Sequence, residues 1–244
     1  MQFDTIVGKH RLEPGLIHDV KKPHISSLRI MSWNIHYYRD GSLQDIHKII
    51  KEIDPDILCI QENYYGFVPV NYPYVVTCRY DPKLEMFLAS KYQILDYNIV
   101  SVQEGKVAIR ATVCIANRKI EIVNMHLPVT DSNLRQDSLH TILKSLTNKD
   151  NSILIGDYNS YNKNNYNTEQ LKQLQIVKQN YGWPHIFETT ALLEKYGYID
   201  TFTTVPVNTS IFGGRVDFVY IAPNFNVVKT AVYYTNKSDH LPVI

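Results

Sequence analysis

Ile153-Leu154-Ile155-Gly156-Asp157-Tyr158-Asn159 is a short apolar run that ends on an acid and an amide. A run of this length reads as a buried strand, and its polar end as side chains delivered to a cleft by rigid backbone. Three other runs repeat the pattern. Leu28-Arg29-Ile30-Met31-Ser32-Trp33 leads into Asn34, Ile57-Leu58-Cys59-Ile60-Gln61 into Glu62, and Ile120-Glu121-Ile122-Val123-Asn124-Met125 into His126. Ser238-Asp239-His240 adds a fifth element near the end of the chain. One such strand end carries little meaning. Four, with a terminal Asp-His pair, define a site.

The segments between these runs supply the remaining architecture. Ser42 reads as an N-cap with Asp45 three residues on, and Leu43, Ile46, Ile49, Ile50 and Ile53 follow at helical spacing until Pro55. Residues 28–62 are therefore strand, helix, strand. Met86–Ser90, Ile94–Val100, Val107–Ala116 and Lys119–Met125 read as strands, with Asn117-Arg118 as a hairpin turn. Leu134, Leu139, Ile142, Leu143 and Leu146 indicate a second helix, and Leu171, Leu174 and Val177 a shorter helical stripe. Val216–Ile221 and Val227–Tyr234 read as late strands. No repeat or linker interrupts the chain. Residues 1–27 are polar and aperiodic, an N-terminal extension, and residues 28–244 read as one α/β domain with mixed sheets and helices packed outside.

The gross numbers suit a globular enzyme. The 244 residues are enough to bury a substantial core, and 44% apolar with 20% charged residues is unlike a disordered chain. No apolar run approaches a membrane span, and Met1–Val20 lacks the apolar centre of a signal peptide, so an intracellular location is expected. Cys59, Cys78 and Cys114 cannot all pair internally and read as small buried hydrophobes. The net charge of +1 does not mark a general polyanion binder, but it leaves room for a local basic groove.

The strand-end residues share one chemistry. Glu62 and Asp157 are hard oxygen donors suited to Mg²⁺ or Mn²⁺, and Asp239 with the amides of Asn34 and Asn159 extends the set. His126 and His240 are placed to donate to phosphate oxygens or to shuttle protons near neutral pH. Asp217, in Arg215-Val216-Asp217-Phe218, is suited to orient a histidine. Phosphate ester hydrolysis needs an attacking water, charge neutralisation and leaving-group stabilisation, and this inventory supplies all three.

Six segments occur in order over residues 28–242: Ser32-Trp33-Asn34-Ile35-His36, Ile60-Gln61-Glu62, Asn124-Met125-His126-Leu127, Gly156-Asp157-Tyr158-Asn159, Arg215-Val216-Asp217-Phe218-Val219 and Ser238-Asp239-His240-Leu241-Pro242. Together they resemble the endonuclease/exonuclease/phosphatase superfamily, which includes deoxyribonuclease I, abasic endonucleases, tyrosyl-DNA phosphodiesterases, neutral sphingomyelinases and inositol polyphosphate 5-phosphatases. The resemblance implies a four-layer α/β sandwich, two mixed β-sheets packed face to face with helices outside. It also implies roles. Glu62 would be the principal metal ligand, with Asn34 beside it and Asp239 near the metal. Asp157 would orient or deprotonate the attacking water, and Asn159 would bind the scissile phosphate. His240, held by Asp217, would stabilise the transition state, and His126 would bind another phosphate oxygen or assist the leaving group. A strand normally follows the last motif, and here only Leu241–Ile244 remain for it. His36, His47, His140 and His185 have no such support and read as structural or surface residues.

The substrate is less legible. The abasic endonucleases' Thr-Lys-like pair after the ligand Glu is replaced here by Asn63-Tyr64, which disfavours that branch. The inositol phosphatases' longer signature and the sphingomyelinases' hydrophobic anchors are not evident. Residues 160–185, just after Asp157 and Asn159, interleave Tyr161, Tyr166, Tyr181 and Trp183 with Lys163, Lys172 and Lys178. Such a mixture stacks bases and neutralises phosphates, or else covers a helix with its lysines solvated. Tyr158, Tyr161 and Arg215 are accordingly expected on the substrate side, with Arg215 alternatively bracing its own loop. Tyr64, Tyr65, Arg79 and Tyr80 are further candidates on loops. Nucleic acid is the leading substrate class, and a phosphorylated lipid or small phosphoester the rival.

Overall fold

A computed structural model describes residues 27–64, 67, 69–182, 187–202 and 208–244, with the backbone alone at Lys178. The expected N-terminal extension, apart from Ser27, and the candidates Tyr65, Trp183 and His185 lie outside these residues.

Two mixed sheets face each other. The first contains β1 (Ile30–Asn34), β2 (Ile57–Tyr64), β3 (Tyr74–Arg79) and β4 (Leu84–Ser90) in the order β1-β2-β4-β3, with β1 and β2 parallel. The second contains β5 (Ile94–Ser101), β6 (Val107–Ile115), β7 (Arg118–His126), β8 (Ser152–Asp157), β9 (Ile199–Asp200) and β10 (Asp217–Ile221). Its order is β5-β6-β7-β8-β10-β9, and only β7 and β8 run parallel. Helix α1 (Leu43–Ile53) links β1 to β2, and α2 (Ser132–Ser145) links β7 to β8, the crossovers that parallel pairs require. Helices α3 (Thr168–Asn180) and α4 (Glu188–Lys195) follow β8.

Side-chain alternation builds the four layers. Ile57 and Cys59 of β2 meet Ile109, Ala111, Ile122 and Ile155 of the other sheet in the central core. The alternate residues Leu58 and Ile60 pack outward on Ile46, Ile49, Ile50 and Ile53 of α1. On the far side Val123, Met125 and Leu154 pack outward on Leu139, Ile142 and Leu143 of α2 and on Leu193 of α4. The expected capping box is present: Asp45 N donates to Ser42 Oγ at 3.2 Å, and Ser42 N donates to Asp45 Oδ2 at 3.0 Å. No helix among the described residues is long and apolar enough to cross a membrane.

Two expectations are corrected. The hairpin loop is Ala116-Asn117, because Ile115 pairs with Arg118 and both loop residues have positive φ, as a tight two-residue turn demands. Val227–Tyr234 is not a regular strand. Only its second half pairs, Ala231 and Tyr233 bonding to Ile244 and Pro242, while Val243 also pairs with Ser32 of β1. Residues 241–244 are thereby held between β1 and this ribbon. Strand β3 and helix α4 were not legible in the sequence. The alternation of β3 is blurred, with partly buried residues on both faces, and α4 is a short helix without an N-cap side-chain bond.

Polar contacts stitch the layers. Asn124 reaches across the central core and donates to the carbonyls of Ile60 and Phe87 at 3.1 and 2.7 Å, and it accepts from Gln61 at 2.6 Å. On the outer face Glu121 accepts from Arg110 at 2.7 Å, Asn148 N at 2.7 Å and Thr147 Oγ1 at 2.7 Å. Burial opposes the Glu121 carboxylate, but these donors, Asn148 first, hold its carboxyl below the usual 4.5. Its stabilisation is therefore full above that value and is lost as pH falls through the lower folded pKa. Glu121→Gln is expected to cost about 2 kcal/mol at pH 7, with the gap from wild type closing in acid. Thermal melts of both proteins from pH 7 to pH 3 check this, and a pH-independent gap would refute it.

Candidate active site

Strand register assembles most of the site. His126 ends β7 opposite Asp157, and Asp157 ends β8 opposite Asp217, the first residue of β10. Opposed residues on neighbouring strands share a face, so these three side chains form a row directed at the other sheet. There β1 ends at Asn34, one residue pair before Glu62 of β2.

Glu62 needs a local irregularity to join them. Gln61 faces the central core, so strict alternation would send Glu62 outward beneath α1. Pairing with β4 is instead broken between Ile60 and Asn63, and Glu62 has φ 50°. This left-handed bulge turns the carboxylate toward the row, a conformation retained where surrounding structure over-determines it. Asn159 is likewise left-handed, with φ 47°, and its N donates to Asp157 Oδ1 at 2.9 Å.

The groups converge on Asp157 Oδ2. Asn34 Nδ2 donates to it at 3.1 Å and to Glu62 Oε1 at 3.2 Å. His126 Nε2 lies 3.6 Å from it, and His240 Nε2 lies 3.8 Å from it. His240 Nδ1 is 2.9 Å from Asp217 Oδ2, while the other oxygen, Asp217 Oδ1, is buried with no hydrogen-bond partner among the described residues. Trp33 Nε1 donates to the His240 carbonyl at 3.0 Å, which ties the terminal motif to β1.

Burial and charge give the two histidines opposite character. Burial disfavours the His240 cation, but Asp217 and Asp157 outweigh it and raise the pKa to about 10. His126 is held well below its usual range by burial first, then by the cations of Lys106 and His240. Burial raises the Asp157 pKa, His240 lowers it and the adjacent Asp217 raises it, with a net upward shift. The site therefore contains an imidazolium, a neutral imidazole and a carboxylate of raised basicity within a few ångströms.

The remaining candidates divide. Asn34 Oδ1 accepts from His36 N at 3.1 Å, so its NH₂ faces the carboxylates and positions them rather than presenting an oxygen to a metal. Asn159 Nδ2 donates to the Leu127 carbonyl at 2.9 Å, at the loop beside His126. Asp239 is adjacent to His240 and sits 3.4 Å from His36 Nδ1, which also meets Asp40 at 2.6 Å. His36, Tyr37 and Tyr38 are all left-handed, and this turn brings His36 to the rim against the expectation of a peripheral residue.

Three substrate-side expectations are corrected. Tyr158 follows Asp157 and so points to the opposite face, fully buried against Phe218 and Tyr220, with its hydroxyl donating to Leu154 O at 3.1 Å. Tyr161 is fully buried beside Leu174 and Val216, its hydroxyl donating to Gly213 O at 2.9 Å. Arg215 is a brace. It pairs with both oxygens of Asp200 and lies 4.2 Å over the Phe218 ring. Tyr80 packs edge-on against His126, whereas Tyr37, Tyr64 and Tyr181 remain exposed. Lys106 was missed altogether: its Nζ lies 3.2 Å from His126 Nε2. Its only sequence signal is a lysine just before an apolar strand, too common to single out.

The model of the Endonuclease/Exonuclease/phosphatase family matches residues 31–240. No curated protein matches the sequence. Among solved structures, a 3′ phosphatase from Neisseria bound to product DNA hairpin is similar, with 17% identity and TM-score 0.68 over 89% of this chain and 98% of that one. A mannosyl-6-phosphatase from Bacteroides thetaiotaomicron gives 16%, 0.65, 89% and 98%. A humanized D. rerio TDP2 gives 18%, 0.62, 88% and 96%. At these identities the likeness is one of fold.

Proposed function

The chain belongs to the endonuclease/exonuclease/phosphatase family, and from that premise we propose that it hydrolyses phosphoesters by in-line attack of water. One observation carries this reading. Asp157 Oδ2 is surrounded by Asn34, His126 and His240 at 3.1, 3.6 and 3.8 Å, on the row that Glu62 faces. Asp157, basic and fixed by Asn34 and Asn159 N, takes the proton of the attacking water and aims its oxygen. His240, kept cationic by Asp217, donates to a phosphate oxygen as charge develops there. His126 offers a neutral imidazole to a second oxygen or to the leaving group, and Asn159 holds the phosphate.

The donor set fits a divalent cation. Glu62 accepts one hydrogen bond among the described residues, from Asn34, and so retains lone pairs for an ion. Carboxylate oxygens without thiolates suit Mg²⁺ or Mn²⁺, which Glu62 would hold with Asp239, Asn34 fixing Glu62 in place. Such an ion, when bound, neutralises phosphate charge and acts as a Lewis acid.

Nucleic acid remains the first substrate class, supported by exposed Tyr37 on the turn that follows Asn34 and exposed Tyr64 on the strand that carries Glu62. A small phosphoester is the second reading, favoured because Tyr158 and Tyr161 are interior and offer no stacking surface. The test is hydrolysis of single- and double-stranded DNA, RNA, 5′-tyrosyl DNA, phosphorylated lipids and sugar phosphates with Mg²⁺, Mn²⁺ or EDTA. Turnover should vanish in EDTA. Glu62→Gln should raise the Mg²⁺ needed for half-activation by at least the roughly 10–100-fold that even supporting residues of metal sites command. Cleavage of nucleic acid supports the first reading, cleavage confined to small esters the second, and metal-independent turnover contradicts the mechanism.

A further inference from the structure

Lys106 stands out among the charged groups because its partners are wrong for a lysine. It precedes β6 at the close of a tight turn, with Val102 N bonded to its carbonyl at 3.0 Å and its own N bonded to Gln103 O at 3.1 Å. Glu104 and Gly105 take φ of 56° and 68° to make that turn, which aims the side chain inward from the sheet edge. The half-buried ammonium ends 3.2 Å from His126 Nε2 and 3.4 Å from Nδ1, and 5.4 Å from the centre of the Tyr80 ring. Among the described residues it forms no salt bridge, and burial lowers its pKa against the opposing pull of Glu62 and Asp157.

The donors do not balance. An ammonium carries three N–H groups, and a neutral imidazole accepts one hydrogen bond. At least two donors are thus left without a side-chain acceptor among the described residues, beside the row of catalytic candidates. A desolvated cation with unspent donors is costly by itself and becomes favourable when an anion enters. His126 cannot be that anion. An imidazole carries no negative charge to cancel that of the cation.

We propose that Lys106 is the fixed cation of the phosphate pocket: its ammonium, lying against His126, receives a non-bridging phosphate oxygen on the His126 side of Asp157. This rests on the phosphoester reading of the site and adds to it the residue that holds the phosphate before and during attack. His240 then supplies a second cation beside Asp157, so the phosphate is met by positive charge on two sides, independent of any ion at Glu62.

Inorganic phosphate is the probe. Titration calorimetry in Mg²⁺ buffer compares the wild type with Lys106→Met and Lys106→Arg. Loss of a charge-assisted contact is expected to weaken phosphate binding roughly 10- to 100-fold in Lys106→Met, and Lys106→Arg is expected to restore most of it. A purely structural lysine would leave phosphate affinity unchanged in folded Lys106→Met, and that result, or no phosphate binding by the wild type, overturns the proposal. Reductive methylation of the wild-type protein, read by mass spectrometry, covers the case of a variant that fails to fold. Phosphate should protect Lys106 but not exposed Lys48 and Lys51, and equal labelling with and without phosphate overturns the proposal. Ester hydrolysis measured in parallel separates the two ideas. Turnover with phosphate affinity insensitive to Lys106 removes this inference alone, whereas phosphate bound through Lys106 without ester turnover removes the hydrolase reading alone.

Discussion

Asp157→Asn is expected to lower turnover on the active phosphoester by roughly 10²–10⁴-fold, the usual contribution of a positioned general base. The amide keeps the shape of the carboxylate but cannot take a proton from water. It also removes one of the carboxylates that keep His240 charged, leaving Asp217 and, more weakly, Asp239 to do so. KM should move less than kcat, because the side chains proposed to bind phosphate, Asn159, His126 and Lys106, are retained and only the backbone N–H bond of Asn159 to residue 157 is put at risk. Stability should fall modestly, by about 1–3 kcal/mol. The carboxylate accepts from Asn34 on one oxygen and from Asn159 N on the other, and an amide has only one oxygen. Steady-state kinetics with a parallel thermal melt separate these effects. Wild-type turnover in a folded variant would contradict the role assigned to Asp157.

Gly156→Ala carries the largest expected cost in stability. Gly156 has φ +145°, and a Cβ there would lie 2.0 Å from the Met125 carbonyl oxygen. That oxygen is backbone of the neighbouring strand, where Met125 pairs with Gly156 immediately before His126 pairs with Asp157. No rotamer change relieves the contact, so β7 and β8 must separate. The expected penalty is above about 4 kcal/mol, a fall in Tm of roughly 8–16 °C for a chain of this size. Activity should be lost in the surviving folded fraction, since the His126–Asp157 spacing is set by the same register. Differential scanning calorimetry decides, and a Tm within a degree or two of wild type would show that the strands tolerate the methyl.

Gly156 also marks the boundary of legibility. Its place between Ile155 and Asp157 reads as strand punctuation, and the motif containing it is visible in the chain. The reason only glycine fits is invisible, because it is a backbone atom thirty-one positions earlier in sequence. Tyr158 teaches the converse. Its burial follows from alternation alone, since a residue next to an inward Asp157 must point outward. Reading it as a substrate contact gave sequence proximity precedence over the period-two rule. Glu62 breaks that same rule and still joins the site, by a bulge that the run from Ile57 to Gln61 does not announce. Lys106 was overlooked and His36 read as a structural or surface residue because each reaches the site through a left-handed turn, and turn conformations of this kind at non-glycine residues leave a weak trace in composition.

The sequence by itself determined the α/β class, the capped first helix, the strands leading into Asn34, Glu62, His126 and Asp157, and the family. Those properties rest on local periodicity and on ordered motifs, which are written residue by residue. Only the tertiary structure decided which neighbours of those strand ends face the cleft, that Arg215 braces Asp200 while Tyr161 fills the space beneath α3, and that a lysine stands against His126. These depend on register between strands, on bulges and on the desolvation of charges brought together from distant positions. Such quantities exist only when two sheets are packed face to face.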